Sequence, residues 1–280
     1  MKYLSLFLIS LNIFTNAQES NWYPLGKYNN IIEHTYYALS YSEQHEQAEW
    51  IQYTLKSNYL NPNISRTDNF REDPLVKTNS AKLVDYKGSG YDRGHLAPAA
   101  DMKYNSTSMS ESFYMSNMSP QTPSFNRQIW RNIEKKFRDW ANIYGELVII
   151  TGPVLNGDYL TSIGPSKVTV PRYYYKVAID TENYSRNIAI LIENKGSSEP
   201  IQNFVVSIDS LESFSGLDFL HTLDDEIEDK IEMGVNLQIW NWSSSNFSGT
   251  NPRSTNDVKI NTHVNSDIFR TVSGSKYHLG

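Results

Sequence analysis

Three apolar runs lie within fifty residues of one another, and they constrain the fold more than anything else in the chain. Leu147–Val154 (LVIITGPV), Tyr173–Asp180 (YYYKVAID) and Asn187–Glu193 (NIAILIE) are each too short for a buried helix and rich in β-branched or aromatic residues. They read as strands, and the polar ENYSRN between the last two suits a hairpin turn. A helix is predicted just before them. From Pro123 onward, Ile129, Ile133, Phe137 and Ala141 recur every fourth residue, with Trp130 and Trp140 alongside and Ser124 as the N-cap candidate. Residues 43–58 (EQHEQAEWIQYTLKSN) carry helix formers with apolar Ala48, Trp50, Ile51 and Leu55, so a second helix is predicted there. Residues 59–90 are rich in Asn, Asp, Pro and Gly and read as loops and short strands. Phe204–Ser210 reads as a strand or the approach to a helix, and 222–232 as an acidic helix. Strands and helices do not alternate regularly, so the fold class is α+β, with a central antiparallel or mixed sheet flanked by helices.

The ends differ from the middle. Lys2, the apolar run Leu4–Phe14 and Thr15-Asn16-Ala17 form a signal-peptide pattern with cleavage expected after Ala17, which implies a secreted or periplasmic protein. Residues 18–42 are polar and Tyr-rich, and with 43–58 they make an N-terminal segment. No later stretch has the ~20 apolar residues a membrane helix needs, so no stable membrane association is expected. From about 235 the chain becomes a polar Asn-, Ser- and Thr-rich tail with Trp240 and Trp242 as isolated anchors; its role is not readable. The chain has no cysteine, which excludes disulfides, zinc ribbons and thiol catalysis. Formal net charge is −6, and loss of residues 1–17 removes Lys2 and no acid, leaving −7. A nucleic-acid binder normally presents a basic face, so any such face here must be local.

Two segments carry chemistry. In Tyr91–Pro98, His95 follows Asp92 and Arg93 within a Gly- and Pro-bounded loop. A histidine near neutral pKa can deprotonate water, and a neighbouring guanidinium can grip a phosphate. A lone histidine is usually structural; its company singles this one out. Further on, Asn126 lies at the start of the predicted helix. Its amide oxygen is a hard ligand suited to Mg²⁺, with Mn²⁺ as the alternative, and a single such ligand leaves a mostly hydrated ion. Glu134 is eight residues later, about 12 Å along an ideal helix, which removes it from the same inner shell unless the helix is distorted and gives it an outer contact. Arg127, Arg131, Lys135, Lys136 and Arg138 stand against Glu134 as the one acid in 124–138. That run is either a solvated face or a set of phosphate contacts.

Asp92-Arg93-Gly94-His95, then Phe113-Tyr114-x-Ser116-Asn117-x-x-Pro120-Gln121, then Asn126-x3-Trp130-x3-Glu134 occur in that order. Together they resemble the DNA/RNA non-specific endonucleases, the endonuclease G-like family, from about residue 60 to 234. The resemblance implies a ββα-metal (His-Me finger) nuclease core acting on DNA and RNA. It implies His95 as general base and Asn126 as the sole direct protein ligand to Mg²⁺. Arg93, Asn117 and Glu134 would support phosphate, base or water, and products would carry 5′-phosphates. Arg66 or Arg71 would supply a further phosphate arginine, with Arg127 and Arg131 flanking. A homodimer or a protein inhibitor stays open, as do a non-catalytic binding module and a small-molecule phosphodiesterase.

Overall fold

The computed structural model describes residues 22–61, 64–157 and 160–243; the leader pattern and the tail beyond 243 lie outside the described residues. The strands are β1 (Ile31–Glu33), β2 (Ala38–Ser42), β3 (Gln47–Lys56), β4 (Asp92–His95), β5 (Met118–Gln121), β6 (Glu146–Pro153), β7 (Thr161–Ile163), β8 (Val168–Val170), β9 (Tyr173–Ile179), β10 (Asn187–Glu193) and β11 (Val205–Val206). The helices are α1 (Leu83–Tyr86), α2 (Ser106–Glu111), α3 (Arg131–Tyr144), α4 (Ile208–Ser215) and α5 (Asp225–Glu232). Seven strands form one sheet in the order β1-β2-β3-β6-β9-β10-β11, with every neighbour antiparallel. The three apolar runs are β6, β9 and β10 at its centre and toward one edge, as read from the sequence.

Both faces of this sheet are covered at its centre, which explains why β6, β9 and β10 are largely apolar rather than alternating with polar residues. Leu147, Ile149, Tyr174, Ala178, Ile188 and Ile190 face α3 through Ile133, Phe137 and Trp140. The residues between them, Val148, Ile150, Val177, Ile179, Ala189 and Leu191, face α4 through Ile208 and Leu211. The helix predicted over 43–58 is instead strand β3, pairing with β2 and β6. Its helix-forming polar residues are buried and bonded. Gln47 donates to the Thr169 carbonyl and accepts from Ser119, and Glu49 accepts from the Lys27 and Tyr28 amides. Weak helix propensity gives way to such pairing. The short strands expected in 59–90 are absent among its described residues, where only α1 and the isolated Arg71–Tyr114 bridge occur.

β4 and β5 form a separate two-stranded ribbon with His95 opposite Met118, and the helical segment from Pro123 follows directly. Thr122, not Ser124, caps it: the Thr122 hydroxyl accepts from the Phe125 amide at 3.4 Å. Thr122 is itself tied to Asn194 after β10 by two hydrogen bonds, so the helix start is fixed to the sheet. Ser124 accepts from the Gly196 amide instead. Residues Phe125–Trp130 form a π-helical turn before α3 begins. Trp240 and Trp242 are not isolated: both pack on Trp140, with ring centroids 4.4 and 5.1 Å away, so the chain up to 243 straps α3 to the sheet.

Candidate active site

His95 is the last residue of β4 rather than part of a loop. Gly94 before it is required by contact, because a Cβ there would lie 2.1 Å from Gln121 Cδ on β5. Phe70 and Phe113 stand edge-on to the imidazole at 5.8 and 5.0 Å. Each ring carries an arginine over its face: Arg93 lies 4.4 Å from the Phe70 centroid and Arg66 4.8 Å from that of Phe113. The ring is 9% exposed, and its Nε2 is buried with no hydrogen-bond partner. Burial, reinforced by Arg66 and Arg93, lowers the His95 pKa to about 3 and keeps the ring neutral near pH 7.

Asn117 fixes the chain just past the histidine. Its Oδ1 accepts from the Ala97 amide at 2.8 Å, and its Nδ2 donates to the Ala97 and Ser112 carbonyls at 2.9 and 2.7 Å. It is fully buried, so it is a positioning residue with no atom left for substrate.

Asn126 projects from the π-helical turn beside β4. Its Nδ2 donates to Asp92 Oδ2 at 2.9 Å, and Arg127 grips both oxygens of the same carboxylate at 2.8 and 2.6 Å. Burial alone would raise Asp92, but the hydrogen bonds from Arg127 and Asn126 hold it below the usual carboxylate range. With Nδ2 committed to Asp92, Asn126 Oδ1 is turned away as the available oxygen. That donor set fits a hydrated divalent cation with one protein ligand. Among the described residues, the only His, Asp and Glu group close enough to surround an ion is Asp209, Glu212 and Glu232 on α4 and α5. It belongs to the helices on the opposite face of the sheet from α3. An open cleft of about 380 Å³ is lined by Tyr91, Thr122, Arg172 and Asn194 among others, and by none of His95, Asn126 and Glu134.

Glu134 is deep-set on α3 with part of its surface still open. Burial raises its pKa, Lys176 is the strongest opposing charge, Asp101 raises it further, and Arg138 and Arg66 lower it. Arg138 in turn binds Asp101 at 2.6 Å, and the Tyr53 hydroxyl donates to the same carboxylate.

The profile of the DNA/RNA non-specific endonuclease family matches residues 15–226. A nuclease of Nostoc sp. is 35% identical over 223 residues, which cover 74% of this chain and 79% of that protein. Human mitochondrial endonuclease G is 34% identical over 200 residues, covering 66% and 67%. A solved chain from a complex of EndoG with EndoGI superposes with a TM-score of 0.66 at 27% identity, covering 71% of this chain and 89% of that one. The chain belongs to the DNA/RNA non-specific endonuclease family. Its β4–β5 ribbon and following helix are the ββα unit of that fold.

In this endonuclease the arginines read from the sequence fall into different settings. Arg66 and Arg93 are exposed near His95, and Arg66 pairs with Asp68 at 2.6 Å. Arg71 is not at the histidine: it donates to Ser110 on α2 and to the Asn69 carbonyl, and stacks on Tyr114. Arg127 is spent on Asp92, whereas Arg131 is exposed. The basic run is largely neutralised from within. Lys135 pairs with Asp139, Arg138 with Asp101, and Lys136 donates to the Trp242 and Ser243 carbonyls. Asp101 and Lys176 were not singled out in the sequence. Lys176 does carry a signal, since it is the lone charge inside the apolar run YYYKVAI.

Proposed function

We propose that this endonuclease is a divalent-metal-dependent hydrolase of phosphodiester bonds in DNA and RNA, with little sequence preference. His95 is its general base and Asn126 Oδ1 its metal ligand. The observation that carries this reading is a neutral, unpartnered imidazole between Arg66 and Arg93, on a ribbon whose next helix presents Asn126. Nε2 is buried, so Nδ1 is the nitrogen that takes the proton from water. The water oxygen bonds to phosphorus as the bond to the 3′-oxygen breaks, and that oxygen leaves with a proton; the products carry 5′-phosphates. Arg66 and Arg93 hold the scissile phosphate, and Glu134 orients water. Mg²⁺, with Mn²⁺ as substitute, supplies positive charge against the developing charge on the phosphate and leaving oxygen. Contact through phosphate requires no base-edge reading and admits both sugars.

Digestion of plasmid and RNA by the purified protein tests this. Activity should need Mg²⁺ and disappear in EDTA, and His95→Ala should lose roughly three orders of magnitude or more while still binding nucleic acid. Full activity in that variant overturns the assignment, and cleavage of small phosphodiesters alone would favour the small-molecule reading. The leader pattern supports export; mass spectrometry of exported protein beginning at Gln18 would establish it. The solved EndoG/EndoGI complex supports a protein inhibitor as a partner class.

A further inference from the structure

Lys176 is an ammonium where the fold has no use for one. It stands in β9, opposite Thr151 of β6 and Ile190 of β10, in the middle of the seven-stranded sheet. Its same-face neighbours Tyr174 and Ala178 belong to the apolar core under α3. Lys176 itself is fully buried, and its Nζ has no hydrogen-bond partner. Three rings surround it: Trp130 at 5.4 Å, Tyr53 at 5.8 Å and Phe137 at 5.8 Å. Ring faces offset part of the charge, but an unpaired ammonium in a core costs stability that a methionine of similar shape would not.

Two of these rings, Trp130 and Phe137, lie four residues before and three residues after Glu134, so the ammonium stands against the side of the helix that carries this carboxylate. Of the groups facing the cage, Glu134 and Arg138 come from α3, Asp101 follows β4, and Tyr53 comes from β3. Asp101 is already occupied by Arg138 and the Tyr53 hydroxyl, each at 2.6 Å. Glu134 and Lys176 are the two members of the network left without a hydrogen-bonded partner. We propose that Lys176 is a positioning residue of the active site, whose caged ammonium is the counter-charge of the deep-set Glu134 carboxylate. The proposal rests on the reading of Glu134 as the residue that orients water, and it explains why a cation is retained in a hydrophobic core.

The sign follows from the surroundings. Burial raises the Glu134 pKa, and Lys176 is the largest charge lowering it, ahead of Arg138 and Arg66. Removing the ammonium therefore raises the pKa, protonates Glu134 at higher pH and moves the acid limb of activity upward.

The test uses the full chain as wild type, Lys176→Met, Lys176→Gln, Lys176→Arg and, as assignment control, Glu134→Gln. The Glu134 carboxyl is titrated by ¹³C NMR beside melting curves and plasmid cleavage against pH. Lys176→Met should melt no lower than wild type, and its Glu134 should titrate about one pH unit higher or more. Its kcat near pH 7 should fall about fivefold and recover in alkali, with KM little changed. Lys176→Gln should show the same upward titration if the Met variant does not fold, and Lys176→Arg should stay near wild type. An unshifted Glu134 titration in the neutral variants, or a loss of activity uniform across pH, overturns the proposal. If wild type cuts no nucleic acid the endonuclease reading fails instead, while the carboxyl titration still judges Lys176.

Discussion

Phe70 and Phe113 do two things for His95. They exclude water from its ring, which keeps it neutral, and they carry Arg93 and Arg66 over their own faces, which brings two cations near the site. On the proposed reading, base and phosphate grip are thus built from one cluster of two rings and two guanidinium groups around an imidazole. Asn117 completes the arrangement through backbone contacts alone. In Asn117→Ala the Ala97 amide and the Ala97 and Ser112 carbonyls lose a buried partner. At ~1–3 kcal/mol for a stranded buried group, partly relieved by relaxation, the variant should lose about 2–4 kcal/mol in urea unfolding. Below its melting temperature kcat should fall with KM little changed. A loss under about 0.5 kcal/mol would show that Asn117 does not hold this segment.

The helix that carries Asn126 and Glu134 is not uniform along its length. The π-helical turn Phe125–Trp130 changes the angular step between the two residues, and such turns are frequent at functional sites. The start of this element depends on Thr122 twice, once as cap and once through Asn194. Thr122→Ala should destabilise by about 1–2 kcal/mol, and Ser124→Ala by clearly less, since Ser124 only receives the Gly196 amide. Equal losses in thermal or urea unfolding would contradict the cap assignment. At this scale β6, β9 and β10 were legible, because burial on both faces writes unbroken apolar runs into the chain. β3 was not, because Gln47 and Glu49 favour a helix locally and find their strand partners in residues 27–28, 119 and 169.

For the whole molecule, a net charge of −6 must be reconciled with a polyanionic substrate. Much of the basic run on 127–138 is consumed by Asp92, Asp139 and Asp101, and Arg66 pairs with Asp68, so on the proposed reading attraction falls to Arg93 and Arg131, with Arg66 joining where phosphate displaces Asp68. About three phosphate contacts correspond to a slope near −3 for log affinity against log salt on duplex DNA. His95→Ala binding measured across salt at fixed Mg²⁺ checks this. A slope steeper than about −6 would mean that a larger cationic face, not visible in these pairings, carries binding.

The sequence by itself determined the family and the candidate residues that the proposed function uses. Asp92 to His95 are neighbours along the chain, and Asn126 and Glu134 share one helix, so short-range geometry already constrains their placement. It also determined the central strands and the α+β class. Only the tertiary structure decided which charges are free. Arg138 finds Asp101 across 37 positions, Arg127 finds Asp92 across 35, and the Lys176 ammonium is set by rings from β3 and the helix beneath which it lies. The free energy of a charge depends on the water removed from it and on the groups brought beside it, and folding alone supplies both.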